Sequence, residues 1–375
     1  MQFSGLKRSY KDWYDGYIER IENKQRISLS THAYQTLSDD FSIFHPQKAA
    51  VLKEGELPSP FINRIFSCFK SSAQSSIAQA IQNQKILYKA ALQDMQDDEA
   101  RQAAIKLLLS SFRQQLTEKQ MQRCSKKDYT FSIRINSENQ EYLLSDEGQA
   151  EGPAYQDKIG AYIKAVLEEY CELTYAERER IYFKTQLDEI CLAINEKKLL
   201  KITLHSKNLR NKKAVNKTMY VKPLRLQQDT EQLYNYLVGM TAFHREGRWE
   251  IGSVRLSSIQ DCKRQEHPIS ISDKTRRRIE EAIEVKGVAF ISDKKGPLTI
   301  KVAFTEEGEK LFRSMLHLRP RPIGTPNENI YTFSCTSRQA KIYFSRFGHD
   351  AKIIEPLSLA DKLKQLFTAA AKQYD

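Results

Sequence analysis

The chain has 375 residues, 40% apolar and 28% charged, with 59 Lys and Arg against 47 Asp and Glu for a net charge of +12 at pH 7. That balance belongs to a globular chain of two or three domains. No apolar run reaches the ~18 residues of a membrane helix, Met1 to Glu22 has no apolar signal core, and Cys68, Cys124, Cys171, Cys191, Cys262 and Cys335 are too dispersed for zinc or redox spacing. A reduced cytoplasm without membrane, metal or cofactor is therefore expected. The absence of a P-loop or G-x-G-x-x-G run argues against nucleotide-hydrolysing and dinucleotide-dependent enzymes, so the positive excess stands as the functional clue, toward a polyanionic partner.

From the N-terminus, Tyr10, Trp13, Tyr14, Tyr17, Ile18 and Ile21 recur at helical spacing and predict a docking helix. Residues 26–40 and 132–146 then form a repeat: Ile27 registers on Ile133, Leu29 on Ile135 and Leu37 on Leu143. Each copy predicts a short alternating strand, a cap and a helix. Thr31 and Ser137 are the expected N-caps, and Ser137 with Gln140 has capping-box spacing. A second helix follows in each copy. The first opens at Ser59-Pro60 and carries Phe61, Ile62, Ile65, Phe66 and Phe69; the second carries Ile159, Tyr162, Ile163, Val166, Leu167 and Tyr170. Between the copies, 71–127 predicts two connecting helices, the second starting at Asp97-Asp98.

Strand–helix–helix, twice, resembles the ribbon-helix-helix family, the second copy more closely than the first. The resemblance implies that two strands pair antiparallel and that the outer face of the ribbon enters a major groove. The outward positions are Arg26, Ser28 and Ser30 on one strand, and Ser132, Arg134 and Asn136 on the other. Arg and Asn can read base edges, but three of the six are Ser, so a module kept for packing or dimerisation remains the alternative. Whether the ribbon pairs within or between chains stays open.

Most of the charge lies further on. The stretch 207–225 carries Lys207, Arg210, Lys212, Lys213, Lys217, Lys222 and Arg225 and no acid. A solvated hairpin is the bland reading; an anion-binding surface is favoured because solubility alone usually mixes signs. Arg276 to Arg278 form a second basic knot, Arg319 and Arg321 a third. Around the hairpin, a helix over 176–197 precedes strands at 199–206, 219–226, 232–240 and 252–259, which indicates a small barrel.

This series resembles the WYL domain of bacterial regulators. Asn235, Tyr236 and Leu237 stand at the motif strand, and Val254, Arg255, Leu256 and Ile259 at the closing one. The resemblance implies an Sm/SH3-like barrel that binds a nucleic acid or nucleotide, with Arg255, Tyr236, His205 and Lys222 as ligand residues. Asn235 replaces the Trp, His205 stands where the family often has Tyr, and Ser258 replaces the second closing Arg. These departures point away from a small-molecule pocket and toward a polymeric anion on the hairpin. Tyr220, Tyr234 and Tyr236 are either stacking faces or barrel core.

Toward the C-terminus, strands at 297–304, 330–335 and 351–357 alternate with helices at 305–316 and 338–347, and a final helix follows. The segment from Phe347-Gly348-His349-Asp350-Ala351 to Pro356-Leu357 resembles the extension that follows WYL domains, which implies a ferredoxin-like layer and a homodimer contact. His349-Asp350 reads as a turn.

The expectation is thus an α+β chain: a helical region with tandem ribbon-helix-helix-like units over 1–175 (about 24–82 and 128–175), a WYL domain over 176–265 and an extension over 280–375. The order resembles the WYL accessory proteins of type VI-D, RNA-targeting CRISPR systems. That implies a non-catalytic protein that binds single-stranded RNA (or DNA) and modulates an RNA-guided nuclease. The alternative is a ligand-responsive DNA-binding transcriptional regulator. No catalytic constellation is evident, so an enzyme is not expected.

Overall fold

The computed structural model describes residues 24–49, 57–70, 76–123, 128–144, 159–204, 217–231, 233–293 and 296–374. The chain divides into two units, Met1–Lys184 and Thr185–Asp375, each of mixed helix and strand. The expected docking helix at 10–21 lies outside the described residues.

In the first unit β1 (Gln25–Leu29) and β2 (Tyr129–Ile133) pair antiparallel within the one chain, Arg26 opposite Ser132 and Ile27 opposite Phe131. Alternation sets the two faces: Ile27, Leu29 and Ile133 are buried, while Arg26, Thr130 and Ser132 are exposed. Helices α1 (Thr31–Phe44) and α2 (Ser59–Phe69) follow β1. The connecting helices are α3 (Ser76–Ala91) and α4 (Asp98–Arg123). Asp97 caps α4, its Oδ1 accepting from the backbone N–H groups of Glu99 and Ala100. After β2 come α5 (Ser137–Leu144) and α6 (Ile159–Cys171), then α7 (Tyr175–Tyr182).

The two copies are clasped crosswise. After β1, the Ser30 N–H and hydroxyl both donate to Glu168 of α6 at 2.7 Å. After β2, Asn63 of α2 donates to the Arg134 carbonyl at 2.8 Å and accepts from Asn136 N–H at 3.0 Å. Gly160 lets α6 approach β1, because a Cβ there would stand 2.8 Å from the Arg26 carbonyl oxygen. Phe44, Phe66, Phe69 and Tyr170 are fully buried among these helices, each contributing roughly 1.5–3 kcal/mol of apolar burial. The buried Asp40 carboxylate of α1 takes two hydrogen bonds from Arg178 of α7 and one from Tyr170. Desolvation outweighs these bonds and holds the Asp40 carboxyl above its ordinary range.

Three capping expectations are corrected. Ser30, not Thr31, caps α1, accepting from Ala33 N–H. Asn136 rather than Ser137 supplies the cap at α5, accepting from Asn139 N–H. Gln140 donates to the Ile135 carbonyl instead of closing a capping box. Ser59 lies inside α2 behind Pro58, and its hydroxyl accepts from Arg134 N–H.

The second unit opens with α8 (Lys184–Asn195), so the expected helix over 176–197 is broken at Phe183, the C-cap of α7. Strands β3 (Lys198–Leu204), β4 (Lys217–Gln228), β5 (Asn235–Ala242), β6 (Glu250–Arg255) and β7 (Ile259–Pro268) form an antiparallel sheet in the order β6-β5-β4-β3-β7. The edge strands β6 and β7 are joined only by the 3-10 turn Leu256–Ser258. Laid flat, four strand spacings would hold them about 19 Å apart, whereas the chain from Arg255 to Ile259 extends at most about 14 Å. The sheet is therefore strongly curled. A register shift lies between Pro223 and Arg225, and Gly239 is needed beside it, since a Cβ there would meet the Lys222 carbonyl oxygen at 2.1 Å.

Helix α9 (Asp273–Lys286), capped by Ser272, packs Ile279 and Ile283 against Tyr236, Val238 and Met240 of β5. The remaining elements are β8 (Leu298–Phe304), α10 (Glu306–Ser314), β9 (Arg321–Pro322), β10 (Ile330–Cys335), α11 (Ser337–Phe344), β11 (Ala351–Glu355) and α12 (Leu357–Ala371). Their sheet is antiparallel in the order β11-β8-β10-β9, over a core that includes Phe304, Phe333, Tyr343 and Phe344. Asp350 ties the turn before β11 to Thr305, accepting from its hydroxyl at 2.6 Å, and His349 is exposed.

Candidate nucleic-acid interface

His205, Lys207, Arg210, Lys212 and Lys213 lie outside the described residues. Lys217 is the first residue of β4, and its ammonium sits 3.8 Å from the centroid of the Phe243 ring. Five residues on, the ammonium of Lys222 lies 4.6 Å from the Trp249 ring. Both rings belong to the β5–β6 turn, in which Phe243-His244-Arg245-Glu246-Gly247-Arg248-Trp249 joins two paired strands. Pairing of β4 with β5 brings these cations to these rings, with Tyr220 opposite Ala242. Phe243 keeps 51% of its surface exposed, and Arg245 and Arg248 are exposed beside it. Cations seated on aromatic faces, with apolar ring surface open to solvent, can hold a phosphate backbone and stack a base at once.

The other expected ligand residues are placed differently. The Arg255 guanidinium stacks 3.6 Å from the Tyr234 ring at the end of β6. Tyr236 stands opposite Arg255 in the ladder and packs against the cluster under α9, which makes it a packing residue. Arg225 is latched to α9: both Glu280 carboxylate oxygens accept from its guanidinium, one of them at 2.7 Å, and Gln227 accepts two more bonds. The Glu280 carboxyl is held below its ordinary range by that hydrogen bond. Arg278, from the second basic knot, is exposed on α9 and lines an open groove with Arg248 and Trp249. Arg319, from the third, lies over the Phe312 ring.

On the ribbon, Arg26 and Arg134 are exposed. The Ser28 hydroxyl is hydrogen-bonded to that of Thr130 at 2.7 Å, and the Asn136 side chain is spent on Asn139 N–H. Of these four ribbon positions, the two arginines make no such side-chain bond among the described residues.

Phe243, Arg245, Arg248 and Trp249 were not singled out by the sequence reading. Their signal was an aromatic at each end of a basic turn. Buried Cys262 and Cys335 have thiols pushed up to about 12 by desolvation, and among the described residues no group of His, Cys, Asp and Glu could hold a metal ion. No helix of the described residues is long and apolar enough to cross a membrane.

A crystal structure of a CRISPR Cas-related protein matches this chain with a TM-score of 0.63 and 22% identity, over 94% of each chain. The two share a fold. A structure of proteasome accessory factor B/C of Arthrobacter aurescens matches 66% of this chain and 37% of its own, at 16% identity and a TM-score of 0.26. No protein-family model and no curated protein matches the chain.

Proposed function

We propose that the protein binds single-stranded RNA without catalysing a reaction and serves as an accessory to an RNA-guided CRISPR nuclease. The observation that carries the binding is the pair of cation–aromatic contacts, Lys217 on Phe243 and Lys222 on Trp249, between β4 and the β5–β6 turn. Single strands present both unstacked bases and phosphates, and these contacts offer rings and cations together. The nuclease partnership is supported by the fold shared with a CRISPR Cas-related protein.

Finer features of the fold agree with this reading. The short turn between the edge strands supports a WYL-type, Sm/SH3-like barrel. The order β-α-β-β-α-β from β8 to β11 supports a ferredoxin-like extension, which in this reading carries a homodimer contact in the cytoplasm. Paired β1 and β2, each followed by two helices, support a ribbon-helix-helix ancestry.

The test is a side-by-side titration with single-stranded RNA, single-stranded DNA and duplex DNA at two salt concentrations. RNA is expected to bind tightest, and Lys217→Glu with Lys222→Glu to weaken it. Equal affinity for all three polymers, unaffected by the double change, would sink the proposal.

A second reading, a ligand-responsive regulator that reads duplex DNA, draws on the exposed Arg26 and Arg134 of the paired ribbon. It requires Arg134→Ala to abolish selectivity among duplex sequences.

A further inference from the structure

An open groove of about 640 Å³ lies between the β5–β6 turn and α9. Its apolar lining includes Trp249, Ile251, Ala282 and Val285; Arg248, Arg278 and Lys286 share its walls with Glu250, Glu281 and Asp293, and the Arg248 guanidinium lies 3.7 Å from the Glu250 carboxylate. Val285 keeps 40% of its surface exposed there, and Arg248 and Arg278 are exposed as well. Trp249 joins this groove to the cation–aromatic contacts, because the ring that lines the groove also carries the Lys222 ammonium.

We infer that the groove is a nucleotide subsite: one base stacks on Trp249 above the apolar lining, and its 5′-phosphate is held by Arg248 and Arg278. The chemistry selects this occupant. A flat apolar ring suits the floor, guanidinium groups pair bidentately with phosphate oxygens, and the Glu281 carboxylate at the same groove can accept from an exocyclic amino group. A purely apolar ligand would leave the arginines unused. The inference rests on the single-stranded RNA reading only for the source of the nucleotide. The subsite chemistry is that of a nucleoside 5′-monophosphate, whether free or one unit of a strand.

The chain contains two tryptophans, Trp13 and Trp249. In full-length protein carrying Trp13→Phe, emission therefore reports on Trp249 alone. One arm titrates adenosine 5′-monophosphate, the other a single-stranded RNA bearing one 2-aminopurine moved along its length. Expected are quenching of Trp249 by both, quenching of 2-aminopurine at one position of the strand, and loss of both signals' affinity in Arg278→Glu, an exposed change that leaves the fold intact. A stacked base contributes enough that Trp249→Leu weakens binding roughly 5- to 150-fold, with Trp249→Phe recovering part of it.

The outcomes separate. If RNA binds through Lys217 while Trp249 emission and Arg278→Glu are silent, the subsite is wrong and the RNA reading stands. If the mononucleotide quenches Trp249 and the strand does not bind, the subsite stands for free nucleotides and the RNA reading falls. If neither binds, both fall.

Discussion

Asn63 is where the two halves of the first unit are fastened. Its side chain is nearly fully buried, and it satisfies the Arg134 carbonyl and the Asn136 N–H just where β2 ends. Removing the amide strands those backbone groups away from water, a cost of about 2–3 kcal/mol. Asn63→Ala is therefore expected to lower the unfolding free energy from chemical denaturation by about that amount. Asn136→Ala, which deletes a helix cap, is expected to cost about 1 kcal/mol, whereas exposed Arg134→Ala should stay within about 0.5 kcal/mol. The contrast shows what residue type and alternation leave undecided. Asn136 and Ser30 were legible as outward-facing polar positions, and both face away from the core. Whether such a side chain reaches a ligand or turns back onto its own backbone depends on helix starts one residue away. Short polar side chains compete for those free N–H groups.

At the scale of elements, helix α9 packs against β5 and was not anticipated. Its sequence, Asp273–Lys286, is dominated by charge, and its apolar residues are few enough to hide a stripe: Ile279 and Ile283 face β5 while Arg276, Arg277 and Arg278 face outward. The strands were legible because β-branched alternation is strong there, and the paired ribbon followed from an internal repeat. A small barrel was expected from the strand series, but β7 was not marked as a strand, and the curl depends on its long-range pairing with β3. The latch between β4 and α9 has a pH signature. Arg225 lowers the Glu280 carboxyl in the folded chain, and an unfolded chain has no such pair. The contribution is thus present above the ordinary carboxylate range and lost only as pH falls through the lowered folded value. Carboxyl NMR is expected to find Glu280 titrating below the ordinary glutamate range, and Arg225→Ala to return it to that range. An unshifted Glu280 in the parent chain means that the latch does not persist in solution.

At the scale of the whole molecule, a net charge of +12 is an average over unlike surfaces. The paired ribbon offers Arg26 and Arg134, whereas β4, the β5–β6 turn and α9 offer Lys217, Lys222, Arg245, Arg248 and Arg278, interleaved with Phe243 and Trp249. Salt dependence separates the two kinds of contact there. Each phosphate neutralised on a single strand adds about 0.7 to the slope of log affinity against log salt. Lys217→Gln with Lys222→Gln is accordingly expected to make the slope shallower by about 1.4. Phe243→Ala removes a stacking face and no charge. It is expected to weaken RNA binding by about 1–3 kcal/mol at every salt concentration and to leave the slope unchanged. If the slope instead responds to Arg26→Gln and Arg134→Gln and ignores the lysines, the polyanion lies on the ribbon. The cation–aromatic contacts would then be a packing feature of the sheet, so the slope measurement locates the partner without any knowledge of its sequence.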